Sequence, residues 1–172
     1  MAEDPTPPPL PAGFPERAVV LLIGLPGAGK STYLRIRNLP SLSSDRLRRA
    51  IFDDEAAQEH PELVFSALRQ LLRARLRAGR PRTFIDATNL SPRERAPLMA
   101  IAEEHGYSCC ALYFDVPAAT CQLRNRQRGR RVPEAAMERM VARLRPPTVS
   151  EGFAVMFCVD EAGRAAPYFG PQ

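Results

Sequence analysis

The chain of 172 residues is almost without lysine. Lysine and arginine together number 24, and only Lys30 is lysine; the other 23 are arginine. A bias that replaces lysine wherever a bare positive charge suffices leaves it standing where arginine fails. Patterns that ligate metal are also scarce. The two histidines, His60 and His105, and the four cysteines, Cys109, Cys110, Cys121 and Cys158, include no CxxC pair, which argues against a zinc site. Cys109 and Cys110 are neighbours in an expected strand and so should point to opposite faces. That spacing reads as reduced cysteines of a cytoplasmic core. No apolar run approaches the roughly 20 residues of a membrane span. The N-terminus has neither the basic nor the apolar region of a secretory signal.

What is present suits one soluble domain: 45% hydrophobic and 25% charged residues. The net charge of +5 favours anionic partners. The stretch "MAEDPTPPPLPAGFP" reads as a disordered, proline-rich arm over residues 1–16. A folded domain over 17–160 and a C-terminal tail over 161–172 complete the division.

Within 17–160 apolar runs alternate with amphipathic ones. "RAVVLLIG" (17–24), "LPSLSSD" (39–45), "RTFIDATN" (82–89), "YSCCALYFDV" (107–116) and "FAVMFCVD" (153–160) read as five strands. Helices are expected after each glycine-rich or polar turn between them. The longest runs from Pro61 to Ala78, with Phe65, Leu68, Leu72 and Leu76 on its apolar face and the arginines at 69, 73, 75 and 77 on its solvated side. Ser91 and Pro92 open another as N-cap and first residue. The alternation predicts an α/β fold with a parallel sheet, whose ligands bind beyond the C-terminal strand ends.

Four motifs fall at those ends. Gly24, Gly27, Ala28, Gly29, Lys30, Ser31 and Thr32 lie in "GLPGAGKST", which matches the phosphate-binding pattern GxxxxGKS/T between a strand and a helix. Its backbone N–H groups curl around phosphate oxygens, Lys30 reaches the β- and γ-phosphates, and Ser31 offers its hydroxyl to Mg²⁺. A compact ammonium fits inside such a closed loop and a planar guanidinium does not. In "SSDRLRR", Asp45 stands past the second strand with Arg48 three residues on, on the same helix face. A carboxylate there can deprotonate an attacking hydroxyl, and an arginine can grip an anionic acceptor; an N-cap and a surface arginine would have the same spacing. Asp86 ends an apolar strand, where a carboxylate can serve Mg²⁺. "RNRQRGRR" (124–131) packs five arginines around Gly129, dense enough for a lid over a transferring phosphate or for a nucleic-acid patch.

Together these pieces resemble the polynucleotide 5′-hydroxyl kinases, and in particular the kinase module of bacterial RNA-repair polynucleotide kinase-phosphatases. The resemblance runs from Arg17 to Asp160 through "GLPGAGKST", "SSDRLRR", "FIDATNLSPRERAPL", "LRNRQRGRRVPE" and "SEGFAVMF". It implies a P-loop kinase fold with a parallel five-stranded sheet, flanking helices and an arginine-rich lid. It implies an ATP (or GTP) donor, Mg²⁺ held by Ser31 and Asp86, and 5′-OH RNA or DNA as acceptor in nucleic-acid repair. Lys30, Asp45, Arg48 and Arg128 would be catalytic, with Asp45 the general base and Arg48 on the acceptor's 3′-side phosphate. Arg124 and Arg128 would contact the donor phosphates, and Thr88 and Asn89 would lie near the acceptor. No phosphatase or ligase signature accompanies these motifs, so separate phosphatase and ligase proteins are the expected partners; a homodimer is compatible with the same reading. The rival readings are a small-molecule P-loop kinase acting on a sugar acid, nucleotide sugar or antibiotic, and a nucleotide-switched binding protein.

Overall fold

The computed structural model describes residues 10–55, 57, 59–127 and 131–171. The order is β1 (Ala18–Ile23), α1 (Lys30–Ile36), β2 (Ser41–Ser43), α2 (Ser44–Phe52), α3 (Pro61–Arg77), β3 (Arg82–Asp86), α4 (Pro92–Glu104), β4 (Ser108–Phe114), α5 (Ala118–Gln127), α6 (Glu134–Arg143), β5 (Val155–Val159) and β6 (Ala165–Pro167), with a 3-10 turn at Val149–Glu151. The sheet has six strands in the order β2-β3-β1-β4-β5-β6, not the five expected. The first five are parallel, and β6 runs antiparallel to β5. The extra strand escaped notice because it is three residues long and contains Pro167.

Every residue of β1 is buried, as the unbroken run "AVVLLI" requires of a strand covered on both faces. Ala18, Val20 and Leu22 face one core with Leu34, Phe84, Leu112, Met137 and Phe157. Val19, Leu21 and Ile23 face the other with Leu68, Leu72, Leu76, Ile85, Leu98 and Ile101. Cys110 belongs to the first and Cys109 to the second, as strand alternation demands. The first core reaches back before Arg17. Phe14 is buried in it 5.1 Å from the Phe157 ring, and Leu10 packs alongside.

α4 starts as expected, with the Ser91 hydroxyl accepting from Glu94 N while the Glu94 carboxylate accepts from Leu90 N. On α3 the stripe is shifted. Val64, Leu68, Leu72 and Leu76 are the buried residues, and Phe65 is only partly covered. Arg75 is not simply solvated, since its Nε donates to Thr83 Oγ1 at 3.1 Å. Among the described residues no helix is long and apolar enough to cross a membrane.

Candidate active site

The loop from Gly24 to Gly29 joins β1 to α1 and lies over the strand ends. Gly27 has φ 88°, and a Cβ there would sit 2.5 Å from the Cys121 carbonyl oxygen on α5, so only glycine lets the loop reach that helix. Lys30 is buried inside the loop, its Nζ donating to the carbonyls of Gly24 and Leu25 at 2.8 Å each. The loop backbone is thus shaped around a point-like donor, in keeping with the survival of this one lysine.

Pairing places the remaining chemistry. Ser43 of β2 stands opposite Asp86 of β3, and the Ser43 hydroxyl accepts from Arg46 N to start α2. Asp45, two residues past Ser43, is therefore brought beside the end of β3. Asp86 carries the marks of that neighbourhood. Burial holds its carboxyl above the usual value; the Ser31 hydroxyl bonded to it and the Lys30 and Arg46 charges pull the other way, and the Asp45 charge adds to the rise. Asp45 Oδ1 accepts from Arg48 NH1 at 2.9 Å, and the Arg48 side chain is 14% exposed. Lys30, Ser31, Asp45, Arg48, Asp86 and Thr88 all line one cavity of about 850 Å³. The expected donor, metal and acceptor residues thus share a single space.

On the other side of the loop a second cavity, about 510 Å³, is lined by Ala28, Thr32, Tyr33, Arg37, Arg124 and Gln127 among others. Arg124 reaches the Gly27 carbonyl at 3.5 Å and Glu161 at 3.3 Å, so it sits against the phosphate loop. This space has the size and position for the nucleoside of a donor whose phosphates occupy the loop. Ser31 and Asp86 fit a magnesium ion by chemistry: a hydroxyl and a carboxylate, hard oxygen donors lining the same cavity. Bound there with nucleotide, the ion would neutralise charge on the β- and γ-phosphate oxygens.

One expectation changes. Asn89 is not among the residues that line the cavity. It is buried at φ 48°, and its Nδ2 donates to the Leu22 carbonyl at 2.7 Å, tying the β3 turn to β1 behind the loop. Thr88 lines the cavity with Asp86 and Ala87, and its carbonyl accepts from Gly24 N. Arg128, with Gly129 and Arg130, lies outside the described residues. Asn125 holds Val132 with two bonds, Nδ2 to the carbonyl at 2.8 Å and Oδ1 from the amide at 2.9 Å. Arg126 pairs with Glu134 at the surface, and Arg131 lines the larger cavity. Asn125 is hidden in the sequence among arginines, and only its pairing with Val132 across "RNRQRGRRV" reveals it.

With this geometry in hand, the sequence matches the AAA domain family AAA_33 over residues 19–147. The chain belongs to that family. No curated protein matches the sequence. Among solved structures, a chain of the Pnkp1/Rnl/Hen1 RNA repair complex is 26% identical with a TM-score of 0.62, over 77% of this chain and 45% of that one. This AAA domain therefore spans less than half of that chain. A sugar kinase from Janibacter sp. HTCC2649 is 22% identical with a TM-score of 0.61, over 87% and 88% of the two chains. Kti12 of Chaetomium thermophilum, solved with ADP-AlF3, is 18% identical with a TM-score of 0.59, over 83% and 88%. The fold is that of the P-loop kinases, and its loop is built to hold the phosphates of a nucleotide.

Proposed function

We propose that this chain transfers the γ-phosphate of ATP or another nucleoside triphosphate to the 5′-OH end of RNA or DNA. The observation that carries the reading is the Asp45–Arg48 pair, at 2.9 Å, opening into the same cavity as Lys30, Ser31 and Asp86. A phosphotransferase needs a carboxylate that orients the attacking hydroxyl and takes its proton. Asp45 does this here: the 5′-oxygen bonds to the γ-phosphorus, the bond to the β-phosphate oxygen breaks, and the hydroxyl proton passes to Asp45. Arg48, largely buried beside it, meets the phosphate on the 3′ side of the terminal nucleotide bidentately. Arg124, against the phosphate loop, supports a donor-phosphate role, and the resemblance gives Arg128 the transferring phosphate. The likeness to a chain of an RNA repair complex supports the same acceptor class.

The test is incubation with γ-labelled ATP and Mg²⁺ against 5′-OH oligonucleotides, thymidine, thymidine 3′-monophosphate and a panel of sugars, sugar acids, nucleotide sugars and antibiotics. Label should enter the oligonucleotides, and thymidine 3′-monophosphate should far exceed thymidine. Asp45→Ala should abolish transfer with ATP binding nearly intact. Arg48→Ala should penalise acceptors with a 3′-phosphate most. Label entering only a small neutral acceptor would replace this reading with that of a metabolite kinase.

A further inference from the structure

The 850 Å³ cavity contains one aromatic side chain, Phe65, among the described residues that line it. On α3 the buried stripe is complete with Val64, Leu68, Leu72 and Leu76. Phe65 is rotated from Val64 by one helical step, about 100°, and turns its partly covered ring to the cavity near the start of the helix, at the catalytic end of the sheet. It packs against the core on one face of the sheet, whereas Met140, which lines the same cavity from α6, packs against the core on the other. The cavity thus takes apolar lining from elements on both faces of the sheet, beside its charged side chains.

The charges are distributed unevenly. Arg48 and Arg131 supply positive charge in the cavity, while Asp54 and Glu55, from the connection that leads into α3, place carboxylates on the rim. A phosphate is repelled from that rim and drawn to the arginines. A flat, uncharged, polarisable group is what the surface beside Phe65 accommodates.

We propose that Phe65 is the stacking platform for the terminal base of the acceptor, and so determines specificity for a base-bearing 5′ end; this rests on the polynucleotide reading above. With the 5′-oxygen at Asp45 and the 3′-side phosphate at Arg48, the base is the remaining part of the terminal nucleotide, and Phe65 is the one aromatic wall among the described residues of the same cavity. Stacking tolerates any base, because each has a π-face.

The test compares two 5′-OH oligonucleotides, identical except that the first nucleotide of one is abasic, with wild type, Phe65→Ala, Phe65→Leu and Phe65→Trp. Wild type should show a KM for the abasic acceptor raised on the order of tenfold. Phe65→Ala and Phe65→Leu should raise KM for the base-bearing acceptor by a similar factor and leave the abasic one unchanged. Phe65→Trp should keep the wild-type preference. Phe65→Leu guards against loss of packing, since it keeps apolar volume without a π-face. Equal losses on both acceptors, or a wild type indifferent to the missing base, would overturn the base platform while leaving polynucleotide transfer standing. Failure of wild type to label either oligonucleotide would overturn both.

Discussion

Lys30 closes the phosphate loop on itself. The ammonium is enclosed by two carbonyls of its own loop, and Lys30→Arg must force a wider, planar group into that ring. Phosphoryl transfer should fall more than about tenfold, the equivalent of about 1.4 kcal/mol of barrier. A variant that keeps its fold by circular dichroism and its rate by label transfer would contradict this. Asp86 gives a prediction of opposite sign for stability and for activity. Its carboxyl is held above the ordinary 3.8 chiefly by burial. The folded chain therefore binds that proton more tightly than the unfolded chain. The contribution is fully present below the unfolded value and is lost as pH rises through the higher folded value. Free of nucleotide, Asp86→Asn should melt at a higher temperature than wild type at neutral pH, and the gap should close in acid. The same variant should lose Mg²⁺-dependent turnover. Lys30, Ser31, Asp45, Arg48 and Asp86 were all legible as candidates because each is fixed by spacing from a strand end. Phe65 was not, because a period-3.6 stripe admits Val64 or Phe65 at its first position, and only three-dimensional packing chooses.

At the scale of elements, the phosphate loop and α5 are coupled through a missing side chain. Gly27→Ala would set a methyl group 2.5 Å from the Cys121 carbonyl, and backbone does not yield as a flexible side chain would. Gly29 has φ 97° but nothing within 4 Å of an added Cβ, so Gly29→Ala should cost only the left-handed penalty of about 1–2 kcal/mol. Gly27→Ala should be the more destabilising in thermal melts and should weaken nucleotide binding further, because Arg124 rides on the same helix and touches the same loop residue. Equal melting temperatures for the two variants would show that α5 shifts freely. Element boundaries followed the sequence closely where caps announced them, as at Ser91 and Pro92. The part that escaped was β6, whose three residues carry no periodicity, and Asn89, whose role depends on β1, distant in sequence.

Across the whole molecule, one buried ion pair joins segments that no local pattern connects. Arg95 is fully buried on α4 and meets Glu151 with two bonds of 2.7 Å, while also donating to the carbonyls of Asn89 and Arg145. Removing one partner leaves the other charged and dry, so Glu151→Gln or Arg95→Met should each lower stability by about 3–5 kcal/mol in denaturant unfolding. The catalytic-end turn at Asn89 should loosen with them, visible as faster amide exchange there. A loss below 1 kcal/mol, within the range of an exposed pair, would mean that water replaces the partner. The outer strands have a different importance. β2 and β6 are each three residues long, against five to seven for the strands between them, and β6 ends in a proline. Short borders, one of them ending in proline, give a neighbouring chain little to pair with. Cutting the chain after Asp160 would bare "VMFCV", an uncharged stretch rich in strand-forming residues with an open ladder of donors and acceptors. The tail thus covers that edge, and the shortened chain should scatter light at concentrations where the full one stays clear.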